Sequence, residues 1–198
     1  VFEVPKTTHW RLPAIVAALL VLLHLAGGEP LQALRYERAA VLAGEWWRLL
    51  TGHLVHGDLA HLGWNLGGVL LVWWLFGDEY TNPQWLLILL VSTAAVDIGF
   101  LWLEPEVDWY VGFSGTLHGC LAAGLAASLR RDADWLTLGV TALLAAKLAW
   151  EYFAGPLPLT GGSISLPVIH EAHAYGAIGG LLCGLAILRV RPERARPL

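Results

Sequence analysis

Apolar residues gather in six long runs, at about 12–26, 54–76, 84–103, 112–129, 135–153 and 168–189, separated by short polar joints. Most of these runs are long enough for a helix across a hydrocarbon core of about 30 Å. The joints are too short to hold a soluble domain. The pattern therefore predicts an all-α membrane protein, with 1–198 forming a single domain of six transmembrane helices. Within the first joint, Pro30 to Gly44 carries Leu31, Leu34, Arg38 and Leu42, which predicts a short helix lying at the interface.

Composition agrees: 57% of residues are hydrophobic and 14% charged, too apolar for an ordinary soluble domain. The net charge of −4 matters less than where the basic residues fall. Lys6 and Arg11 precede the first run, Arg130 and Arg131 follow the fourth, and Arg189, Arg191, Arg194 and Arg196 close the chain. Six helices put these places on one face, which the positive-inside rule makes cytoplasmic, with both termini. Arg35, Arg38 and Arg48 fall on the other side, in the first joint. The first run has only a weak cleavage candidate, Leu25-Ala26-Gly27-Gly28-Glu29, so it reads as a retained helix. Cys120 and Cys183 lie in apolar runs and are expected to be packing residues, not a disulfide. The partners expected are the lipid bilayer and another membrane protein; nothing calls for nucleic acid, and the oligomeric state is left open.

This topology brings polar residues to one depth. His61 and Asn65 begin the second helix, Ser114 the fourth and His173 the sixth, all toward the outer face. From Ser114 to Leu129 a helix rises about 24 Å, less than the core, so Ser114 is expected several Å below the surface. The segment Glu104 to Phe113 must then dip into the membrane, which is tolerated only inside protein or beside a water-filled cavity. Gly115 and Gly119 on the fourth helix, and Gly176, Gly180 and Gly184 on the sixth, repeat every four residues. Small residues at that spacing let helices approach closely, which would bring Ser114 within reach of His173.

A serine hydroxyl attacks well only when a base takes its proton, and neutral imidazole suits that task. Ser114 at a helix start also gains from the positive end of the helix dipole. Its backbone N–H, with donors from His61 and Asn65 on one helical face, can bind the oxyanion of a tetrahedral intermediate. Asp58 reads as the N-cap of that helix. His118, one turn after Ser114, is a rival base. Each residue alone has a plainer explanation: a serine bonded to its own helix, a histidine or asparagine joining helices, glycines that only pack. Their joint placement favours chemistry.

Other residues point elsewhere. His170-Glu171-Ala172-His173 is near a zinc-protease signature, but its histidines are three apart rather than four. His53, His56, His61, His118, His170 and His173 all lie toward one face, which leaves a metal- or haem-binding membrane protein as a minor alternative; no cofactor is otherwise called for. His53 and His56 are expected at the outer surface. Asp97 is expected to be structural or protonated, at inner or middle depth; Lys147 and Glu151, four apart, are expected to pair on their own helix. The tryptophans are read mainly as interfacial belts. The Gly- and Pro-rich joint from Ala154 to Pro167 is a candidate gate.

Gly112-Phe113-Ser114-Gly115 resembles the Gly-x-Ser-Gly motif of rhomboid intramembrane serine proteases. His61-Leu62-Gly63-Trp64-Asn65 resembles their His-x-x-x-Asn, and His173-Ala174-Tyr175-Gly176 with Gly180 their histidine-bearing sixth helix. Gly44-Glu45-Trp46-Trp47-Arg48 resembles their first loop. The resemblance covers about Trp46 to Gly184. It implies a six-helix rhomboid bundle in a bacterial inner membrane, its site toward the periplasmic face. It also implies a Ser–His dyad without an aspartate: Ser114 as nucleophile, His173 rather than His118 as base, and His61, Asn65 and the Ser114 backbone as oxyanion hole. Gly112, Gly115 and His118 would support the site and shape the substrate pocket. Ser114-Gly115-x-x-His118-Gly119 is similar to the rhombosortase branch, which implies a transmembrane substrate with a C-terminal Gly-Gly-type anchor. A rhomboid-like binder of transmembrane segments without catalysis is the alternative.

Overall fold

The structure is a computed structural model that describes residues 9–158, 162 and 164–190. Helix α1 (Arg11–Leu25) turns sharply at Gly27, whose φ of +92° favours glycine, into α2 (Gly28–Leu34). A two-residue strand β1 (Tyr36–Glu37), the short α3 (Arg38–Leu42) and α4 (Arg48–Thr51) complete the first joint. The long helices follow: α5 (Leu59–Phe76), α6 (Asn82–Trp102), α7 (Ser114–Arg131), α8 (Trp135–Ala154) and α9 (Glu171–Val190). Between α6 and α7, strand β2 (Trp109–Tyr110) pairs antiparallel with β1, Tyr36 opposite Tyr110. The protein is thus mostly rather than wholly helical, and the expected interfacial helix at 30–44 is broken around β1.

Helices α5, α6, α8 and α9 are long and apolar enough to cross a bilayer, and α1 with α2, bent by 116°, would make a fifth crossing. Helix α7 is less apolar for a physical reason. It packs against α5, α6, α8 and α9, so its surface is built from Gly, Ala, Ser and Cys that meet other helices. Helix α8 is the least buried of the long helices.

The helix ends follow local chemistry. Asp58 accepts from the His61 N–H (2.7 Å) and caps α5. Thr81 and Gln84 form a capping box that starts α6. At the other end of α6, the Arg38 guanidinium donates to the carbonyls of Phe100 (2.7 Å) and Leu101 (3.0 Å). Buried Arg48 donates to the Gln32 and Arg35 carbonyls and to Glu45, tying the first joint together. These arginines hold carbonyls in place, which accounts for basic residues on the face that the charge rule leaves poor in them. Arg131 meets Glu79 at the opposite end of the bundle (2.7 Å). Lys6, Arg191, Arg194 and Arg196, used in the charge argument, lie outside the described residues.

Two tryptophans leave the expected belts for the core. Trp46, Trp102 and Trp135 are exposed, but Trp73 and Trp85 are buried with rings 5.1 Å apart. Both cysteines are free.

Candidate active site

The site forms where α5, α7 and α9 begin and α6 and α8 end. The chain enters α7 through Gly112, whose φ is +118°. A side chain there would be strained and would also run into the His61 imidazole. The Gly112 N–H donates to the Gly52 carbonyl (3.1 Å), and its own carbonyl accepts from the Tyr110 hydroxyl (2.7 Å). Burial raises the pKa of that phenol, which keeps it a neutral donor. The turn is therefore fixed from several sides, and Ser114 follows as the first residue of α7.

His173 occupies the first turn of α9. The two helices meet along their glycines. A Cβ on Gly176 would fall into the Gly115 carbonyl group, one on Gly180 into the Gly119 carbonyl, and one on Gly115 would come 2.9 Å from the Ala172 carbonyl oxygen. This close approach sets the central distance: His173 Nε2 lies 3.0 Å from Ser114 Oγ. His173 is buried, and Ser114 is part-exposed to a cavity of about 200 Å³. That volume has room for several waters, at about 30 Å³ each.

His61 and Asn65 line the same cavity from α5. Asn65 Nδ2 donates to the His61 carbonyl (2.9 Å), and an amide nitrogen has a second N–H to offer. Ile164 and Pro167 to Ile169 close the cavity from the joint before α9. That joint is fastened to α5: the Ser165 N–H donates to Asp58 Oδ2 (2.7 Å), and Leu166 packs against Gly57. Burial works against the charged Asp58 carboxylate, but its N–H donors outweigh it and hold the carboxyl below its ordinary pKa. Of the expected gate, 159–161 and 163 lie outside the described residues.

The rival base is occupied differently. His118 Nδ1 lies 2.7 Å from the Ser114 carbonyl oxygen, to which it donates, and not at the hydroxyl. Its ring stacks on that of His173, with centroids 4.1 Å apart and planes at 20°.

Several polar residues sit where the sequence did not place them. Lys147 Nζ pairs with Glu151 (2.7 Å), as the spacing predicts, but Glu151 is buried and also lies 2.9–3.0 Å from His173 Nδ1. A lone carboxylate one turn from the site end of an apolar helix was the available signal. Asp97, in the half of α6 nearer the site, has a partner the sequence did not announce: it meets His53 (3.2 Å). His53 and His56 are buried rather than at the surface, His53 against the Tyr110 ring with centroids 5.3 Å apart. His56 packs edge-on to His61, with rings 4.9 Å apart, and His170 faces Glu171.

The family model described as Rhomboid domain matches residues 43–190, from just after α3 to the last residue of α9. The chain belongs to the rhomboid family. It is 28% identical over 200 residues to the rhomboid protease GluP of Bacillus subtilis (strain 168), a match that covers 94% of this chain and 36% of GluP. It is 27% identical over 154 residues to the putative rhomboid protease YdcA of the same organism, covering 78% of this chain and 73% of YdcA. The chain thus spans just over a third of the length of GluP. As a rhomboid it is a multi-pass membrane protein. Its α1, α2, β1 and α3 precede the matched region, yet β1 pairs beside the site through β2.

Proposed function

We propose that this rhomboid is an intramembrane serine endopeptidase with Ser114 as nucleophile and His173 as general base. The observation that carries the reading is the 3.0 Å approach of Ser114 Oγ to His173 Nε2 at the wall of a cavity with room for several waters. His173 Nε2 takes the hydroxyl proton as Oγ bonds to the scissile carbonyl carbon. The carbonyl oxygen becomes an oxyanion, with the Ser114 N–H, His61 and Asn65 as its donors. As the C–N bond breaks, the proton passes from His173 to the leaving amine. A water from the cavity then gives a proton to His173 and attacks the acyl carbon, and Ser114 regains its hydrogen. Gly112 and Gly115 keep the first turn of α7 free of side chains, and His118 braces the imidazole.

The substrate is a membrane-spanning segment entering beside α8, cut near the end of the bundle that holds the site. That end faces the periplasm of a bacterial inner membrane. Ser114-Gly115-x-x-His118-Gly119 supports a narrower choice: single-span proteins with a C-terminal Gly-Gly, apolar helix and basic tail. The test is co-expression with a reporter bearing such an anchor. Wild type and His118→Ala should cleave it, and Ser114→Ala and His173→Ala should not. Cleavage by Ser114→Ala would refute the reading. Cleavage by wild type of other transmembrane anchors but not this one would refute only the substrate choice.

A further inference from the structure

Ion pairs inside a membrane bundle are expensive and call for a reason. Lys147 and Glu151 would satisfy each other on the face of α8 as an ordinary pair one turn apart. Instead the pair is turned toward α9. Glu151 is 2% exposed and holds both carboxylate oxygens within 3.0 Å of His173 Nδ1, while Lys147 Nζ lies 3.1 Å from the same nitrogen.

For a neutral imidazole beside an ionised Glu151, only one placement of the ring hydrogen satisfies all three groups. Nδ1 either carries a hydrogen and donates, or lacks one and accepts. If it accepted from Lys147, its lone pair would face the Glu151 oxygens at hydrogen-bond distance with no proton between them. If it carries hydrogen, it donates to Glu151, and Lys147 donates to the same carboxylate, which has lone pairs for both. That arrangement leaves Nε2 bare toward Ser114 Oγ, the form a general base needs.

We propose that Glu151 is a positioning residue that fixes His173 with hydrogen on Nδ1 and its lone pair on Nε2, with Lys147 as the counter-ion of Glu151. This rests on the reading of Ser114 and His173 as nucleophile and base. During acylation the Ser114 proton moves to Nε2 while the Nδ1 hydrogen stays in place, shared with Glu151. The imidazolium so formed lies against a carboxylate, and nothing is transferred to Glu151 itself. The carboxylate comes from α8, the least buried long helix, so the orientation of the base depends on α8 lying against α9.

The proposal makes Lys147 harmful once Glu151 is gone. In Glu151→Ala the ammonium is left as the group beside Nδ1, donates to it and forces the hydrogen onto Nε2. The test uses the detergent-solubilised full chain and a fluorophosphonate probe, whose phosphorus Ser114 Oγ attacks with loss of fluoride. Limiting rate (kinact) and probe affinity (KI) are measured separately. Glu151→Ala is expected to lower kinact by about 10²-fold or more with KI unchanged, as for wrong-tautomer variants of serine hydrolases. Glu151→Ala with Lys147→Ala is expected to recover at least about tenfold of that loss, one pair hydrogen bond's worth or more. Glu151→Gln, which keeps an acceptor for Lys147, covers the case in which Glu151→Ala does not fold and should also be slowed about 10²-fold. Labelling of Glu151→Ala or Glu151→Gln within about twofold of wild type would overturn the proposal, as would a double variant no faster than Glu151→Ala. Labelling of Ser114→Ala would instead refute the underlying reading of the nucleophile.

Discussion

Gly176 and Gly115 touch through their backbones: a Cβ on Gly176 would fall within the Gly115 carbonyl group. This contact lies one residue from Ser114 and three from His173, so it fixes how near the hydroxyl and the imidazole come. Gly176→Val has no room without moving α9 away from α7. Overpacking of this kind costs about 1–3 kcal/mol, and displacement of a catalytic group by about 1 Å costs roughly 10² in rate. Gly176→Val is therefore expected to lose probe labelling by about 10²-fold while its unfolding midpoint in detergent falls only modestly. Labelling at the wild-type rate would contradict that role.

Gly112 joins two demands, a positive φ and space for His61. Gly112→Ala meets neither. It is expected to push His61 from the cavity and lower cleavage by about 10²-fold, the scale of one lost oxyanion donor. Comparing Gly112→Ala with His61→Ala and the pair together checks this. If Gly112→Ala acts through His61, the double variant should be little worse than either single one.

His118 braces the site through a stack on His173 and a hydrogen bond to the Ser114 carbonyl. His118→Phe keeps the stack and loses the hydrogen bond, worth about 1 kcal/mol, so about a fivefold slower labelling rate is expected. His118→Ala loses both and should fall further, by about tenfold or more. Loss as complete as in His173→Ala would make His118 the base instead.

The sequence made much of this arrangement legible. The apolar runs mark the long helices to within a few residues, except where 54–76 runs back past the Asp58 cap of α5. The glycine spacing on α7 and α9 foretells their approach. What it hid depends on tertiary contacts between residues far apart in the chain. His53 is 44 residues from Asp97, and Glu151 is 22 from His173, so neither pairing has a local spacing to announce it. Trp73 and Trp85 look interfacial from their places near helix ends, but their tilted rings meet and they become core.

His56 gives the fold a dependence on pH. Burial, with His61 and then His24 nearby, lowers its pKa to about 3. The unfolded chain, with imidazole near 6.5, binds a proton in the window where the folded chain does not. Stability is therefore full above about pH 6.5 and falls as the pH drops toward 3, on the order of a few kcal/mol over the window. His56→Gln, which cannot take up a proton, should flatten the fall in unfolding midpoint between pH 7.5 and 5. An identical slope in the variant would exclude His56 as its source.

The most direct measurement is mass-spectrometric mapping of the fluorophosphonate adduct on the intact membrane protein, with wild type and His173→Ala side by side. The predicted result is one adduct on wild type, at Ser114, formed at least about 10³-fold faster than in His173→Ala. An adduct at another residue, or equal labelling of Ser114 in both proteins, would contradict a Ser114–His173 protease site.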